Sequence, residues 1–465
     1  MSLQLIQDLK DRYNRKKVLV VGLGLQGGGV GIAQFFTKLG AKVIVTDKKE
    51  KSKLLPSISR LKGVNIQFRL GEHKLEDFLS ADVIFKGPSV PWTMPEIIEA
   101  EKKGIPIEME MSFVVANYPG KVIGITGTRG KSTTTHLIFN LLKESGFKVS
   151  LGGGLPGIST IECLKDADEN SWLVAELSSW ALSGFHKKKI SPHIAVFTNF
   201  YPDHLNYYKN LDDYFYDKQA IFQYQKEGDY LVANNSLKKN IDSATQIFQK
   251  TYKTEKLAYT SSKIFFSKNN FPYSLVYLKG DHNLENAAAA LKMAEVLKVD
   301  KNKAVEIIKN FSGLPYRLQN VGKKDNIIFI NDTTSTTPIA TIKAIESLKN
   351  KKIILFLGGN SKNLSTNILI DQLINTEKII LLSGSFTEGI LPILKNKYPD
   401  KLYGPFDNLK EAFEQGYQSS KLLKEECYLL FSPGATSFAM FDNEFHRGEE
   451  FNILVKSIIN NKVNE

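Results

Sequence analysis

With 465 residues the chain is longer than one hydrophobic core normally organises, so two or three domains are expected. Its 42% apolar and 24% charged residues suit ordinary globular protein; no apolar run approaches the roughly 18 residues of a membrane helix, and the polar start MSLQLIQDLKDRYNRKK does not read as a secretion signal. The net charge of +12 comes from scattered lysines, and clusters such as HKKKI read as solvated faces rather than a nucleic-acid stripe, so small anionic substrates account for the excess equally well.

From residue 16 to about 118, the β runs KVLVV, KVIVTD and ADVIFKG alternate with helical stretches, the pattern of a small parallel α/β domain. The first run feeds Gly22, Gly24 and Gly27, spaced G-x-G-x-x-G, and the second ends at Asp47, about where a ribose-binding acid belongs. A glycine turn at a helix start accepts any pyrophosphate, so the turn alone does not separate a nicotinamide dinucleotide from another nucleotide.

After a break at NYPGK, a second series predicts strands at KVIGIT, SWLVAELSS, HIAVFTNF and DYLVANN, with amphipathic helices between them and a hairpin-like piece at 257–279. The strongest local signal is VIGITGTRGKSTTTHLIFNLL, a β run turning through Gly127 and Gly130 into Lys131, Ser132 and a helix. This is a phosphate loop: backbone N–H groups face an anion, the Lys131 ammonium reaches β and γ phosphates, and Ser132 or Thr133 offers a hydroxyl to Mg²⁺. Ile125 occupies the place of the first glycine of G-x-x-x-x-G-K-[ST], and ATP is the expected nucleotide. Metal ligands belong at the carboxyl ends of neighbouring strands, where VAELSS offers Glu176 and FTNFYPDHLNYY offers Asp203 and His204. A lone Glu or His is more often structural; the phosphate loop reverses that preference here.

A third series follows SGLPYR, with strands at NIIFINDTT, KKIILFLGG, KIILLSG and CYLLFSPGA, each trailed by a helix. Cys163 and Cys427 are far apart and lack metal-ligand spacing, which excludes a disulfide framework and makes reduced thiols in the cytoplasm the expectation.

The segments GITGTRGKSTTT, AELSSWAL, TNFYPDHLNYY, GDHNLENAAAA, SGLPYR, FINDTT, LFLGGNSKN and SPGATSFAMFDNEFHRGEEF, in that order, resemble the Mur ligases of peptidoglycan synthesis over nearly the whole chain. The resemblance implies an α/β protein of three domains. A Rossmann-like UDP-sugar-binding domain would span 1–118, a central P-loop ATPase-like parallel sheet 119–313, and a Rossmann-like amino-acid-binding domain 314–465. Within the family, GLGLQGGG, ELSS and SFAMFDNEFHRG are most similar to members that add D-glutamate to UDP-N-acetylmuramoyl-L-alanine. ATP would phosphorylate the alanine carboxylate, the amine of glutamate would attack the acyl phosphate, and phosphate would leave.

By motif position, Leu25, Gln26, Asp47 and Lys48 would line the uridine diphosphate pocket. Gly127, Thr128, Arg129, Gly130, Lys131, Ser132 and Thr133 would bind ATP together with Asn283, Asn286, Arg317 and Asp332. Ser132, Glu176, His204 and a carbamylated Lys218 would hold Mg²⁺, which makes Lys131, Glu176, His204 and Lys218 the expected catalytic set. Thr336, Lys362, Ser437 and Phe438 would receive the acceptor amino acid. For Lys218 the plain alternative is an unmodified amine paired with Asp217 or another acid, for Asn286 a helix cap, for Lys362 a solvated surface lysine, and for Ser437 a helix cap.

The sequence departs from the family pattern at Arg129, Gly154 and Asn206, where asparagine, asparagine and aspartate are usual, and at Ala181 and Thr334, which stand for glutamine and lysine. The losses at Gly154, Ala181 and Thr334 bear on the sugar and the acceptor more than on ATP. Alternative readings are a Mur-type ligase with another acceptor such as L-glutamate, a folylpolyglutamate synthetase, a nicotinamide oxidoreductase with an ATP module, or a basic P-loop protein acting on nucleic acid. The folate enzyme lacks the domain at 1–118, the oxidoreductase lacks a hydride site here, and the last lacks clustered arginines. A monomer acting on small molecules, without nucleic acid or membrane, is the expectation.

Overall fold

Unbroken aliphatic runs, rather than alternating ones, mark strands covered on both faces. In the computed structural model they are placed so: Val18, Val20, Val21, Ile123, Ile125 and Leu355 are all at most 1% exposed. The structure describes residues 2–25, 27–154, 159–203, 207–244, 261–278, 281–361, 364–437, 440–441 and 443–460. The chain divides into two compact units, 1–311 and 312–465.

The first unit holds two parallel sheets. Strands β1 (Lys17–Val21), β2 (Lys42–Asp47), β3 (Ile66–Leu70), β4 (Val83–Lys86) and β5 (Ile107–Glu108) lie in the order β3-β2-β1-β4-β5, the doubly wound arrangement whose crevice opens at the end of the first strand. There Gly27, left-handed at φ 101°, opens the helix Gly28–Lys38. A Cβ at Gly29 would stand 2.6 Å from the Leu23 carbonyl oxygen, so only glycine closes the turn.

The second sheet contains β6 (Lys121–Thr126), β7 (Val149–Gly153), β8 (Trp172–Glu176), β9 (Ile194–Phe197), β10 (Tyr230–Asn234) and β11 (Ser262–Phe266), ordered β11-β10-β9-β6-β8-β7 and parallel throughout. Because β6 lies between β8 and β9, the loops after both neighbours flank whatever leaves β6. One hydrophobic cluster joins the two sheets, from Val20 and Phe36 through Phe113 to Leu173 and Phe197. On the other face, Ala287 to Ala290 are fully buried in the helix Asp281–Val296, and their small side chains let it pack closely on the helix Lys131–Glu144. The hairpin expected at 257–279 is not formed by its described residues: the strand there, Ser262–Phe266, pairs parallel with β10 as a sheet edge. No described helix is long and apolar enough to cross a membrane.

The second unit is a six-stranded sheet of β12 (Gln319–Lys324), β13 (Ile327–Asn331), β14 (Lys352–Gly358), β15 (Lys378–Leu382), β16 (Leu402–Phe406) and β17 (Cys427–Phe431), ordered β12-β13-β17-β14-β15-β16. Only β12 runs antiparallel to its neighbour. The switch in strand order around β17 brings the loops after β13, β17 and β14 side by side.

Candidate active site

The phosphate loop leaves β6 through Gly127 at φ 151° and Gly130 at φ 78°, conformations that L side chains rarely adopt. It is bound to the segment after β9. Thr128 N donates to Asn199 O at 3.0 Å, Arg129 N to Asn199 Oδ1 at 2.8 Å, and Thr198 Oγ1 to Arg129 O at 2.7 Å. Lys131 Nζ folds back on its own loop, donating to Gly127 O at 3.2 Å and Thr128 O at 3.0 Å. A ligand phosphate can take that ammonium from two neutral carbonyls at little cost. Asn286 is no cap: it lies inside the helix Asp281–Val296, is 4% exposed, and accepts from Thr134 Oγ1 at 3.1 Å. A Cβ at Gly130 would meet its Oδ1 at 2.4 Å, and its Nδ2 donates to Asn283 Oδ1 at 3.2 Å. The structure thus brings Asn283 and Asn286 to the phosphate loop.

Beside the loop lies a buried charge cluster. Lys218, 1% exposed, sends its ammonium to Gly127 O at 2.8 Å and over the Tyr214 ring at 4.8 Å. It does not pair with Asp217, whose carboxylate accepts from Tyr208 Oη at 2.9 Å. Burial, reinforced by the like charge of Lys131, pushes Lys218 down to about 7, while burial raises Asp217 to about 6. Lys131 is also pulled down by burial, with Glu176 opposing. Glu176 ends β8, is 8% exposed, and its Oε2 has no hydrogen-bond donor among the described residues. An orphaned buried carboxylate oxygen is costly, and a hard cation or a ligand donor would satisfy it. With Ser132 on the first turn of the adjacent helix, the donors are the oxygen atoms that magnesium prefers, so the residues fit that ion. Among the described residues no three His, Cys, Asp or Glu side chains gather as a complete metal cage. His204 and Asn206 lie outside the described residues; Asp203 is within 3.9 Å of the Arg129 guanidinium, which is 77% exposed.

A cavity of about 690 Å³ runs from the glycine turn of the first sheet to the ends of β7 and β8. Leu25, Asp47 and Lys48 line it, as do Gly154 and Ala181; Gln26 lies outside the described residues. Asp47 braces the turn, accepting from Gly24 N at 3.3 Å and Lys49 N at 2.9 Å. The sequence reading missed Lys86, His73, Glu110 and Trp180, which the fold brings to the same walls. Lys86 is buried at the end of β4, held to Val90 O at 2.8 Å and 4.4 Å from the Trp92 ring, and burial lowers it to about 8. Its place after an apolar strand was the available signal. Glu110 accepts from Ser159 Oγ and Ile161 N, tying the two sheets together next to Gly28.

In the second unit Asp332 is 4% exposed and fully engaged, accepting from Ser335 Oγ at 2.5 Å, Ser432 Oγ at 2.7 Å and Leu318 N at 3.0 Å. It therefore braces the Arg317–Leu318 turn. Thr334 donates its hydroxyl to Tyr316 O at 2.8 Å. Thr336 follows on the same loop after β13, and Ser437 lies beyond β17, 2% exposed, its hydroxyl capping no backbone N–H and finding no partner among the described residues. Lys362 and Phe438 lie outside the described residues.

A phosphate loop at the switch point of a parallel sheet, preceded by a doubly wound domain and followed by a second α/β unit, defines a nucleotide-dependent enzyme. The family described as Mur ligase middle domain matches residues 125–294, and that described as Mur ligase MurD-like, N-terminal domain, matches 16–108. The chain belongs to the Mur ligase family. UDP-N-acetylmuramoylalanine--D-glutamate ligase of Borreliella afzelii is 34% identical over 96% of this chain and 98% of its own, and the enzyme of the same name from Roseiflexus sp. is 33% identical over 95% and 98%. Among solved structures, UDP-N-acetylmuramate-alanine ligase MurC of Thermotoga maritima shares the fold at a TM-score of 0.52 and 20% identity, covering 95% of this chain and 100% of its own.

Proposed function

We infer that the protein is an ATP-dependent ligase that joins D-glutamate to UDP-N-acetylmuramoyl-L-alanine in peptidoglycan precursor synthesis. The observation that carries this reading is the phosphate loop with Glu176 and Lys218 beside it, in a chain similar from end to end to D-glutamate ligases. Residues 1–118 serve the UDP-sugar, 119–313 ATP and 314–465 the acceptor. The diphosphate sits on the N-terminus of the helix Gly28–Lys38, whose free N–H groups favour an anion, with Leu25, Gln26, Asp47 and Lys48 around the nucleotide.

Lys131 and the loop N–H groups, with Arg129 and Thr128, neutralise charge on the γ-phosphoryl group as it passes to the alanine carboxylate. Asn283 and Asn286 hold the loop, and Arg317, on the turn that Asp332 braces, is proposed as the further residue of the nucleotide site. Ser132, Glu176 and His204 would hold Mg²⁺, which supplies charge neutralisation and in-line alignment of the phosphates. Lys218, easily deprotonated where it lies, can take up carbon dioxide: its amine attacks carbon, a proton leaves, and the cation becomes an anionic carbamate oxygen donor. Thr336, Lys362, Ser437 and Phe438 receive the acceptor. The protein is proposed to work in the cytoplasm as a monomer on small molecules alone.

Oxygen-18 in the alanine carboxylate tests the reaction type. One labelled oxygen is expected in the released phosphate, because the acyl phosphate passes that atom on; unlabelled phosphate excludes the acyl phosphate. For the first sheet, calorimetry is expected to find a saturable site for UDP and none for NAD or NADP. A saturable NAD site that Asp47→Ala removes would overturn the UDP assignment.

A further inference from the structure

The helix Glu444–Asn460 carries a guanidinium for which nothing above calls. Arg447 is 1% exposed. Its Nε donates to Thr333 Oγ1 at 2.9 Å, its Nη2 to Thr333 O at 2.8 Å and its Nη1 to Ala435 O at 3.2 Å. All three acceptors are neutral. Glu444, one turn back, opposes the effect of burial only in part, and Arg447 is drawn down to about 10. A buried cation served by neutral oxygens is electrostatically under-compensated, and an anion brought nearby would gain from it.

The position says which anion. Thr333 follows β13 and Ala435 follows β17, adjacent parallel strands in this unit, so the guanidinium ties together the two loops that lead to Thr336 and Ser437. Ser437, two residues beyond Ala435, has a buried hydroxyl with no partner among the described residues. The helix cannot draw the arginine back, because Gly448 is already pressed on the loop: a Cβ there would stand 2.4 Å from Thr333 Cγ2 and 2.5 Å from Tyr316 Cδ1.

We propose that Arg447 is a positioning residue of the acceptor site, which locks the loops after β13 and β17 together and supplies the buried positive charge that selects an acidic acceptor over its neutral isostere. This rests on the glutamate-ligase reading. Without the guanidinium the loops lose three hydrogen bonds and the site loses its field, while the phosphate loop in the other unit keeps all its own contacts.

The test compares glutamate with glutamine as acceptor in the wild-type enzyme, Arg447→Gln and Arg447→Lys. In Arg447→Gln the KM for glutamate is expected to rise about 10- to 100-fold, the range for losing a charged hydrogen-bonding partner, with the glutamate-to-glutamine preference collapsing and the KM for ATP within about two-fold. Arg447→Lys is expected to recover part of the preference. An unchanged preference, or a uniform fall in every parameter with a lower Tm, would overturn the proposal. If Arg447→Gln does not fold, Thr333→Val removes one acceptor of the guanidinium and keeps the charge; the KM for glutamate is then expected to rise alone, and a variant with unchanged KM contradicts the clamp. A wild-type enzyme that prefers a neutral acceptor would instead remove the glutamate-ligase reading, which separates the two failures.

Discussion

Lys131→Ala is expected to lower turnover by about 1,000-fold or more, with Tm within a few degrees of wild type, because the ammonium serves the transferring phosphoryl group and not the fold. Among the described residues its ammonium bonds only two carbonyls of its own loop, and the loop is held independently by Asn199, Thr198 and Asn286. Its loss also removes a like charge from beside Lys218, so the remaining buried ammonium becomes easier to keep. Phosphate release in the complete reaction, with a melting curve alongside, measures both halves. A variant that keeps full activity would eliminate the phosphate-loop mechanism.

The second large effect is at Lys218. Lys218→Ala is expected to lose most activity and to regain part of it with millimolar formate or acetate, small carboxylates that replace the carbamate oxygen. The pH dependence has a definite sign. Only the neutral amine takes up carbon dioxide; with its pKa depressed to about 7 the amine is about half neutral at pH 7, where an ordinary lysine is well under 1% neutral. Activity in bicarbonate-poor buffer is therefore expected to fall as pH drops through about 7, and added bicarbonate should restore part of it by raising dissolved carbon dioxide. An alanine variant of normal activity, or a wild-type rate indifferent to bicarbonate across this range, would exclude the carbamate.

The fold was legible where chemistry is local. The runs at Val18–Val21 and Val122–Ile125 are apolar without interruption because both faces of their strands are covered, and each leads to glycines whose positive φ the turn demands. The edges were not. Gln319–Lys324 carries two lysines and a glycine, and Ser262–Phe266 gains its strand character only from β10, so the first went unread and the second was taken for a hairpin arm. The site divides in the same way. Gly127 to Ser132 are contiguous and carry their meaning in sequence, whereas Lys86, Glu110 and Trp180 reach one cavity from three separate segments. Asp332 reads as an ATP-side residue in FINDTT, but its bonds to Leu318, Ser335 and Ser432, which also make it a brace, come from segments far apart in sequence and are not visible there. Arg447 sits among glutamates in HRGEEF, where a surface charge is the ordinary expectation; only the packing of Gly448 on Thr333 turns it inward.

Acceptor identity is the central claim, and Gly154, Ala181 and Thr334 make it the part most open to contradiction from the chain itself. The direct measurement is phosphate release from ATP with UDP-N-acetylmuramoyl-L-alanine across a panel of D- and L-amino acids. The expected result is fastest release with D-glutamate, dependent on all three substrates, with the amide product of matching mass. Faster release with L-glutamate or a neutral amino acid would contradict the D-glutamate assignment and leave an ATP-dependent ligase of different acceptor.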